Sequence, residues 1–215
     1  LREFLPDVVM GSGGYVSGPL VRQAAKMGIP TLTHEQNAFP GVTTKLLSKY
    51  VDCVMLAVPE AKKYLNQTAS YVVTGNPVRE AFFTADRKAV RKKMGLEGKI
   101  CVLSFGGSLG ARRVNEAMAE LIAHNQNNPD IFHIHATGAY GVELFPQLLR
   151  QKGITNSKTN KNLDIREYIY DMPECFAAAD LIIGRSGAST LSELEAAGKA
   201  SILIPSPNVA ENHQY

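Results

Sequence analysis

The sequence predicts an α/β protein built from two Rossmann-like domains with parallel sheets, and three observations support this. Short apolar runs rich in β-branched residues alternate with helix-period segments, which is typical of βαβ units. These runs are continuous rather than alternating, as expected for strands covered on both faces. A charged, helix-prone segment, Arg79–Gly98, interrupts the pattern once before it restarts. Two successive sheets, one on each side of that segment, are therefore expected.

Four strands are predicted in the first half, in DVVMG, TLTHEQ, VDCVMLAV and SYVVTGNPV. The first three are followed by a loop and a helix in SGGYVSGPLVRQAAKMG, by another loop and helix in NAFPGVTTKLLSKY, and by the helix-period segment PEAKKYL. The second half has strands in KICVLSF, IFHIHAT, LDIREYI, DLIIGRS and ASILIPSP. Its first helix begins at Ala111, and three further helices lie in GVELFPQLLRQKG, PECFAAA and ASTLSELEAAG. We expect domains at residues 1–76 and 99–215. Residues 77–98 would be a hinge and helix, because Asn-Pro after glycine favours extended backbone.

The composition is ordinary for a globular protein: 215 residues, 45% hydrophobic and 20% charged, with a net charge of +3. That charge is too small to indicate nucleic acid but is compatible with an anionic small ligand or membrane surface. The basic cluster Arg87–Lys93 is expected to be a solvated helix face. Cys53, Cys101 and Cys175 lie in apolar stretches without a CxxC spacing, which favours reduced core thiols.

No apolar run reaches the roughly 20 residues of a membrane span, and no signal peptide opens the chain. The chain starts at Leu1 rather than at Met and stops at Tyr215 in a predicted loop. We expect it to be a piece of a longer protein.

Three glycine- and serine-rich loops follow predicted strands, at Gly11–Pro19, Phe105–Arg112 and Gly184–Glu193. Backbone amides at such strand-to-helix turns point at anions, and Ser108, Ser186 and Ser189 add hydroxyl donors. The glycines expected to form the phosphate loops are Gly13, Gly14, Gly106, Gly107 and Gly110. Each loop could instead be only a tight turn, but three at the carboxyl edge of open sheets favour a ligand.

The spacing in these loops does not fit the common nucleotide fingerprints. GGSLG lacks the G-x-G-x-x-G pattern, and no acidic residue is convincingly placed at the end of a following strand. The P-loop pattern G-x-x-x-x-G-K-[ST] is also absent. Nicotinamide dinucleotides and ATP are therefore poorly supported ligands, and a nucleotide sugar is the better interpretation.

Several longer motifs resemble those of glycosyltransferase family 28, whose members have the GT-B fold. They are GSGGYVSGP, THEQNAFPG, TGNPVR, FGGSLGARRVN, YIYDMPECFAAADLIIGRSGASTLSELEAAG and NHQY, in one order along nearly the whole chain. The resemblance implies two Rossmann-like domains facing a cleft. The C-terminal domain would hold the sugar donor, and the N-terminal domain would meet the lipid acceptor.

The resemblance also implies roles for individual residues. Ser108, with the amides of Gly107 and Leu109, would contact the diphosphate of the donor. The backbone of Ile169 would frame the uracil, and Glu193 would accept hydrogen bonds from the ribose hydroxyls. The other residues implied to bind substrate are Arg79 at the nucleotide, Asn37 and Gln214 at the sugar, and Ala188, Ser189, Thr190, Leu191 and Ser192 at a helix start.

The implied reaction is inverting transfer of N-acetylglucosamine from UDP-GlcNAc to the C4 hydroxyl of the MurNAc in lipid I, a step of peptidoglycan synthesis. No cofactor or metal is implied, and the sequence has no D-x-D pair. Leaving-group charge would be met by loop amides and helix N-termini. The implied location is peripheral, at the cytoplasmic face of the cell membrane. KLLSKY, Lys45–Tyr50, would contact the membrane or pack as a helix face.

The catalytic base is the least defined part of this prediction. A glycine-rich loop with a histidine, found near the N-terminus in the family, is absent from this sequence. His34 and Glu35 are candidates for a supporting role. We therefore expect the chain to bind UDP-sugar weakly and to turn over poorly.

Other interpretations of these residues remain open at this stage. Glu193 could serve only the helix dipole and Ser189 only as an N-cap. His34 and Glu35 could be strand-end residues satisfied by backbone. His133 and His135 alternate on one strand, and packing is favoured over a metal site. The whole chain could be another GT-B transferase, such as a glycolipid synthase, or a non-catalytic nucleotide-binding or oxidoreductase domain.

Overall fold

The computed structural model describes residues 1–155 and 160–207, which fall into two compact units. The first comprises Leu1–Pro77, with Pro207 also assigned to it, and the second comprises Val78–Ser206. Each unit contains one parallel sheet and the helices that connect its strands. The predicted α/β class with two Rossmann-like parallel sheets is therefore confirmed.

The first unit has a four-stranded sheet in the order β1-β2-β3-β4. The strands are β1 Val9–Gly11, β2 Thr31–Glu35, β3 Cys53–Leu56 and β4 Tyr71–Val73, with helices α1 Ser17–Lys26 and α2 Val42–Leu47. Its core is formed by apolar residues of these elements, including Val21, Ala24, Leu47, Val54 and Leu56.

Two predictions for this unit need correction. PEAKKYL forms a 3-10 helix of six residues at Pro59–Tyr64 rather than an α-helix. It begins at a proline and lies within the connection between β3 and β4, where short 3-10 segments are common. The outer strands are also not covered on both faces. Met10 in β1 and Val72 and Val73 in β4 are exposed, since each strand lies at an edge of the described sheet.

The second unit has a five-stranded parallel sheet in the order β7-β6-β5-β8-β9. Its strands are β5 Ile100–Phe105, β6 Ile131–Ala136, β7 Leu163–Arg166, β8 Leu181–Gly184 and β9 Ser201–Leu203. Its helices are α3 Ala81–Thr84, α4 Arg87–Lys93, α5 Arg112–Asn125, α6 Leu144–Gln151, α7 Met172–Ala178 and α8 Ala188–Ala197, with a 3-10 turn at Ala139–Gly141.

The central strand β5 is covered on both faces, as its continuous apolar run predicted. Leu103 belongs to a core with Ile134 and Phe176, while its neighbour Val102 faces a separate core with Phe145. The strand order also reverses at β5, because the chain proceeds to β6 and β7 on one side and to β8 and β9 on the other. Open α/β sheets bind ligands outside the carboxyl ends of strands at such a switch point.

The prediction that Arg87–Lys93 is a solvated helix face is wrong for two of its residues. Arg87 and Arg91 donate to the carbonyls of Ala178 and neighbouring residues at the end of α7, and both pair with Asp180. The last carbonyls of a helix have no partner within it and carry the negative end of its dipole, so they attract cations. Lys88 and Lys92 are exposed, as predicted.

The three cysteines are free thiols, and Cys101 and Cys175 are buried. Burial raises the pKa of Cys101 to about 11 and that of Cys175 to about 12, so both are neutral near neutral pH. Among the described residues, no helix is both long and apolar enough to cross a membrane.

Candidate functional site

The second unit contains a cavity of about 630 Å³ at the carboxyl edge of its sheet. The loop after β5, the loop after β7, the start of α8 and the segment before α3 all contribute to its wall. The lining residues are Arg79, Phe105, Gly107, Ser108, Ala136, Glu167, Tyr168, Ile169, Tyr170, Met172, Ser189, Thr190 and Glu193. Seven of these are residues that the sequence singled out: Arg79, Gly107, Ser108, Ile169, Ser189, Thr190 and Glu193. The cavity lies where the switch-point rule places a ligand.

The loop between β5 and α5 lines this cavity with Gly107 and Ser108. Gly107 and Gly110 adopt positive φ angles of 92° and 83°, and the amide of Gly110 donates to the carbonyl of Gly107 at 3.0 Å. At Gly106, a Cβ atom would come within 2.6 Å of the Ala111 nitrogen. The loop therefore needs glycine for its tight turn, and it can bring amide donors close to a ligand.

Helix α8 begins at the same cavity with no side-chain cap. Gly187 is its N-cap in an extended conformation, and the first turn contains no acidic residue. Ser189 is therefore not an N-cap, and Glu193 lies beyond the first turn, so the interpretation that they serve only the helix end is wrong. The hydroxyl of Ser186 is buried without a hydrogen-bond partner among the described residues. The first amides of α8 and this hydroxyl are available as donors.

Three other residues of the predicted helix start do not line the cavity. Ala188 and Leu191 contribute backbone to α8, whose amide at Leu191 bonds the carbonyl of Gly187. The hydroxyl of Ser192 donates back to the carbonyl of Ala188 at 3.2 Å.

Two of the charged residues that line the cavity, Glu193 and Arg79, interact electrostatically. Burial raises the pKa of Glu193, and the positive charge of Arg79 acts in the opposite direction. Arg79 itself is exposed, with its guanidinium 5.2 Å from the ring centre of Phe82. The cavity thus combines a half-buried carboxylate that accepts hydrogen bonds with a cation suited to a phosphate or a base carbonyl.

The loop after β7 forms another part of the wall. Ile169 is buried, while Tyr168 and Tyr170 are exposed with ring centres 4.9 Å apart. An ion pair closes the loop, because Arg166 at the end of β7 donates to Asp171 at the N-cap of α7 at 2.5 Å. The ion pair therefore joins the two ends of the loop, one at strand β7 and the other at helix α7.

Sequence reasoning missed six of the lining residues: Phe105, Ala136, Glu167, Tyr168, Tyr170 and Met172. One signal could have found four of them, since EYIYDM spans the end of the predicted strand LDIREYI and so lies at the same sheet edge as the glycine loops. Ala136 ends β6, which only the strand order places beside β5.

In the first unit, His34 and Glu35 end strand β2 and are only 6% and 3% exposed. Nε2 of His34 lies 3.0 Å from the carbonyl oxygen of Gly75, and the Gln36 amide approaches Nδ1 at 2.9 Å. The carboxylate of Glu35 accepts from the backbone amides of Asn37 and Gly41, each at 3.1 Å. Both side chains are hydrogen-bonded at the end of β2, mainly to backbone groups. This agrees with the alternative that they are strand-end residues satisfied by backbone.

Two further predicted loop residues, Gly13 and Gly14, lie in the turn between β1 and α1 at positive φ. Gln36 ties this turn to β2, because its amide donates to the carbonyl of Ser12 at 3.0 Å. Asn37 directs its side-chain amide at Glu35. Gln214 lies outside the described residues.

His133 and His135 are buried and both hydrogen-bond Ser104, which confirms the packing interpretation. Within residues 1–155 and 160–207, no group of three or more His, Cys, Asp or Glu side chains is placed to hold a metal ion.

Solved structures with the same architecture define the class of fold. A putative UDP-N-acetylglucosamine 2-epimerase from Listeria monocytogenes matches 98% of this chain and 60% of its own, with a TM-score of 0.71 at 14% identity, which shows the fold alone. MurG from Acinetobacter baumannii matches 99% of this chain and 56% of its own, with a TM-score of 0.70 at 31% identity. The class is GT-B.

The family follows from sequence comparison. The model of the glycosyltransferase family 28 C-terminal domain matches residues 101–215, and that of the N-terminal domain matches residues 1–56. The UDP-N-acetylglucosamine--N-acetylmuramyl-(pentapeptide) pyrophosphoryl-undecaprenol N-acetylglucosamine transferases of Acetivibrio thermocellus and Desulforamulus reducens are each 45% identical over the whole chain. The chain belongs to glycosyltransferase family 28. It spans 57% and 58% of the length of these two relatives.

Proposed function

We propose that this chain is the donor-binding part of an enzyme that transfers N-acetylglucosamine from UDP-GlcNAc to the C4 hydroxyl of MurNAc in lipid I. The product would be lipid II, an intermediate of peptidoglycan synthesis, formed with inversion at the sugar. The observation that carries the proposal is a single cavity lined by the Ser108 loop, the start of α8 and Glu193. The names of the 45% identical relatives support the same reaction.

Each part of UDP-GlcNAc has a matching group in this proposal. The diphosphate binds the hydroxyl of Ser108 and the loop amides at Gly107 and Leu109, opposite the uncapped start of α8. The carboxylate of Glu193 accepts hydrogen bonds from the ribose hydroxyls, one turn into that helix. The uracil lies against the backbone of Ile169, and Arg79 reaches the nucleotide. Asn37 and Gln214 are proposed to contact the sugar.

We propose that the transfer needs no metal ion. The departing UDP gains negative charge as the glycosidic bond breaks, and fixed amide donors at the loop and the helix N-terminus stabilise that charge. A chain that used a metal for this task would be expected to carry a paired carboxylate such as D-x-D, and the sequence has none. In the full-length enzyme, addition of EDTA should leave transfer unchanged, and loss of activity that Mg²⁺ restores would contradict this point.

His34 and Glu35 are proposed to support the acceptor side rather than to act as the base. Glu35 holds the backbone at Asn37 and Gly41, so it shapes the loop that follows β2. Replacing Glu35 with Gln should therefore alter the KM for acceptor more than the KM for UDP-GlcNAc.

The acceptor carries an undecaprenyl lipid, so we propose that the enzyme works at the cytoplasmic face of the membrane as a peripheral protein. Exposed apolar side chains of α1 and α2, Leu20, Val42 and Leu46, lie in helices that also carry the basic residues Arg22 and Lys45, a composition suited to an anionic lipid surface. Sedimentation with anionic vesicles and with neutral vesicles measures this. Equal binding to both would contradict an electrostatic contribution.

Donor competition separates this function from its rivals. The protein should bind UDP-GlcNAc in preference to UDP-galactose, and it should not bind NAD or NADP. Preference for UDP-galactose would favour a glycolipid synthase of the same fold. Binding of a nicotinamide dinucleotide without binding of UDP would identify an oxidoreductase-like domain instead.

A further inference from the structure

Five buried polar residues form a continuous series of hydrogen bonds in the second unit, and two of them, Ser104 and Thr137, are next in sequence to the cavity residues Phe105 and Ala136. Ser104 in β5 contacts Nε2 of His133 and Nδ1 of His135, both in β6 and both at 2.7 Å. Nε2 of His135 contacts Oδ1 of Asn115 in α5 at 3.1 Å, and Nδ2 of Asn115 donates to the carbonyl of Thr137 at 3.0 Å. All five residues are at most 4% exposed. We call this hydrogen-bond network, formed by His133, Ser104, His135, Asn115 and Thr137 in that order, the His133–Thr137 relay.

Hydrogen-bond chemistry fixes the direction of every bond in the relay. The Thr137 carbonyl can only accept, so the amide nitrogen of Asn115 faces it and Oδ1 faces His135. His135 therefore carries its proton on Nε2, and its Nδ1 accepts from the Ser104 hydroxyl. The Ser104 oxygen then accepts from Nε2–H of His133. Burial lowers the pKa of His133 to about 4 and that of His135 to about 3, so both rings are neutral near neutral pH.

The relay ends on a segment, Thr137–Tyr140, that touches both loops of the cavity. The amides of Ala139 and Tyr140 donate to the carbonyls of Ser108 and Leu109 at 3.2 and 3.0 Å. The amide of Gly138 donates to the carbonyl of Glu167 at 3.0 Å in the loop after β7.

Two glycines make this contact unusually close. A Cβ atom on Gly110 would lie 2.2 Å from the Thr137 carbonyl oxygen, and one on Gly138 would lie 2.0 Å from the Gly110 nitrogen. Backbone thus packs directly on backbone, and the position of Thr137 determines where the Ser108 loop sits.

We propose that His135 is a positioning residue, which through Asn115 fixes the Thr137–Tyr140 segment and so sets the spacing between the Ser108 loop and the loop after β7. Without the relay, the two loops lose their common support and the donors on them are no longer held at the spacing of one nucleotide. Preorganised donors bind and stabilise charge better than mobile ones, because no ordering cost arises on binding. This inference rests on the proposed binding of UDP in the cavity.

Substitutions at His135 and at its neighbour Phe145 separate positioning from packing. The two rings stack with centres 4.3 Å apart, and Phe145 makes its contact without any side-chain hydrogen bond. His135→Phe keeps a ring and removes both ring nitrogens, whereas His135→Gln retains a donor and an acceptor. Phe145→Leu lowers the packing of the same core and leaves the relay intact. Ser104→Ala interrupts the relay at a second point with a small change in volume.

The measurements are the Kd for UDP by calorimetry, the Tm, and native-state amide exchange at Ala139 and Tyr140. We expect His135→Phe and Ser104→Ala to weaken UDP binding about tenfold and to speed exchange at these amides, because a broken buried network leaves polar groups unpaired. His135→Gln should recover most of the affinity. Phe145→Leu should lower Tm comparably while the Kd and the two exchange rates stay at wild-type values.

Two results would overturn the inference. One is wild-type UDP affinity together with wild-type exchange in His135→Phe. The other is an equal loss of affinity in Phe145→Leu, which would make the effect one of general stability. If the wild-type protein fails to bind UDP, the proposed function fails, and exchange at Ala139 and Tyr140 in the same variants still decides the role of the relay.

Discussion

At the scale of single residues, Glu193 links the sequence to the proposed chemistry most closely. Its carboxylate lines the cavity one turn beyond the free amides of α8, so a diphosphate and a ribose can be bound by one helix. Burial raises the pKa of Glu193, so the neutral acid persists to higher pH than for an ordinary glutamate. Only the ionised form accepts hydrogen bonds with both oxygens.

This shift predicts a pH dependence for donor binding. As the pH falls through the raised pKa of Glu193, the carboxylate takes up a proton and the affinity for UDP-GlcNAc should fall. The diphosphate diester of UDP-GlcNAc has no group that titrates in that range. Glu193→Gln should bind about tenfold more weakly at neutral pH, with the acid-side dependence flattened. Calorimetry between pH 4 and pH 8 measures both effects, and an unchanged pH profile in Glu193→Gln would contradict this assignment.

The sequence could predict residues of the candidate site only where they belong to a recognisable motif. Ser108, Ile169 and Glu193 were placed by their motifs. Arg166 and Asp171 could not be, because their pairing depends on how far the loop after β7 folds back, which local sequence does not encode. The hydrogen bonds of the His133–Thr137 relay could not be predicted from the sequence either. The position of His133 and His135 on one strand favoured packing, but their hydrogen-bond partners come from β5 and α5.

At the scale of elements, the loop after β7 depends on the ion pair between Arg166 and Asp171. Asp171→Asn removes this ion pair and keeps the pair of Arg166 with Asp164. It should weaken UDP binding a fewfold and change stability by less than about 1 kcal/mol, because partly exposed ion pairs contribute little to folding. Lys93→Gln is a matched control. It breaks a different ion pair to helix α7, the one between Lys93 of α4 and Glu174 of α7. Titration with UDP should separate the two variants. Equal affinity would show that the ion pair does not hold the loop.

Helix α4 contains basic residues that stabilise the fold by binding backbone carbonyls and Asp180. Arg91 is only 14% exposed and donates to the carbonyls of Ala178, Leu96 and Lys99. Arg91→Ala should lower the free energy of unfolding by about 2–4 kcal/mol, because it leaves the carbonyls of Leu96 and Lys99 without a charged donor. Ala178 and Asp180 keep the Arg87 guanidinium as a charged donor. Lys92→Ala, at the exposed neighbour, should change it by less than about 0.5 kcal/mol. Urea denaturation measures both, and similar values would contradict this account of α4.

At the scale of the whole molecule, the continuous apolar runs and the glycine loops were sufficient to predict two parallel sheets. They worked because strand burial and helix amphipathicity are local patterns that tertiary packing preserves. Strand order was not readable in the same way, since it depends on contacts between distant segments. It is the order β6-β5-β8 that brings the Ser108 loop and α8 to one cavity.

The central claim is that this cavity binds the UDP part of a sugar donor. Calorimetric titration of UDP into the wild-type protein, Ser108→Ala, Glu193→Ala and Glu195→Ala tests it most directly, because Glu195 is an exposed carboxylate on the same helix. The account predicts one UDP per chain, affinity weakened at least tenfold in the first two variants, and unchanged affinity in Glu195→Ala. Wild-type binding with the same Kd in Ser108→Ala and Glu193→Ala would contradict it.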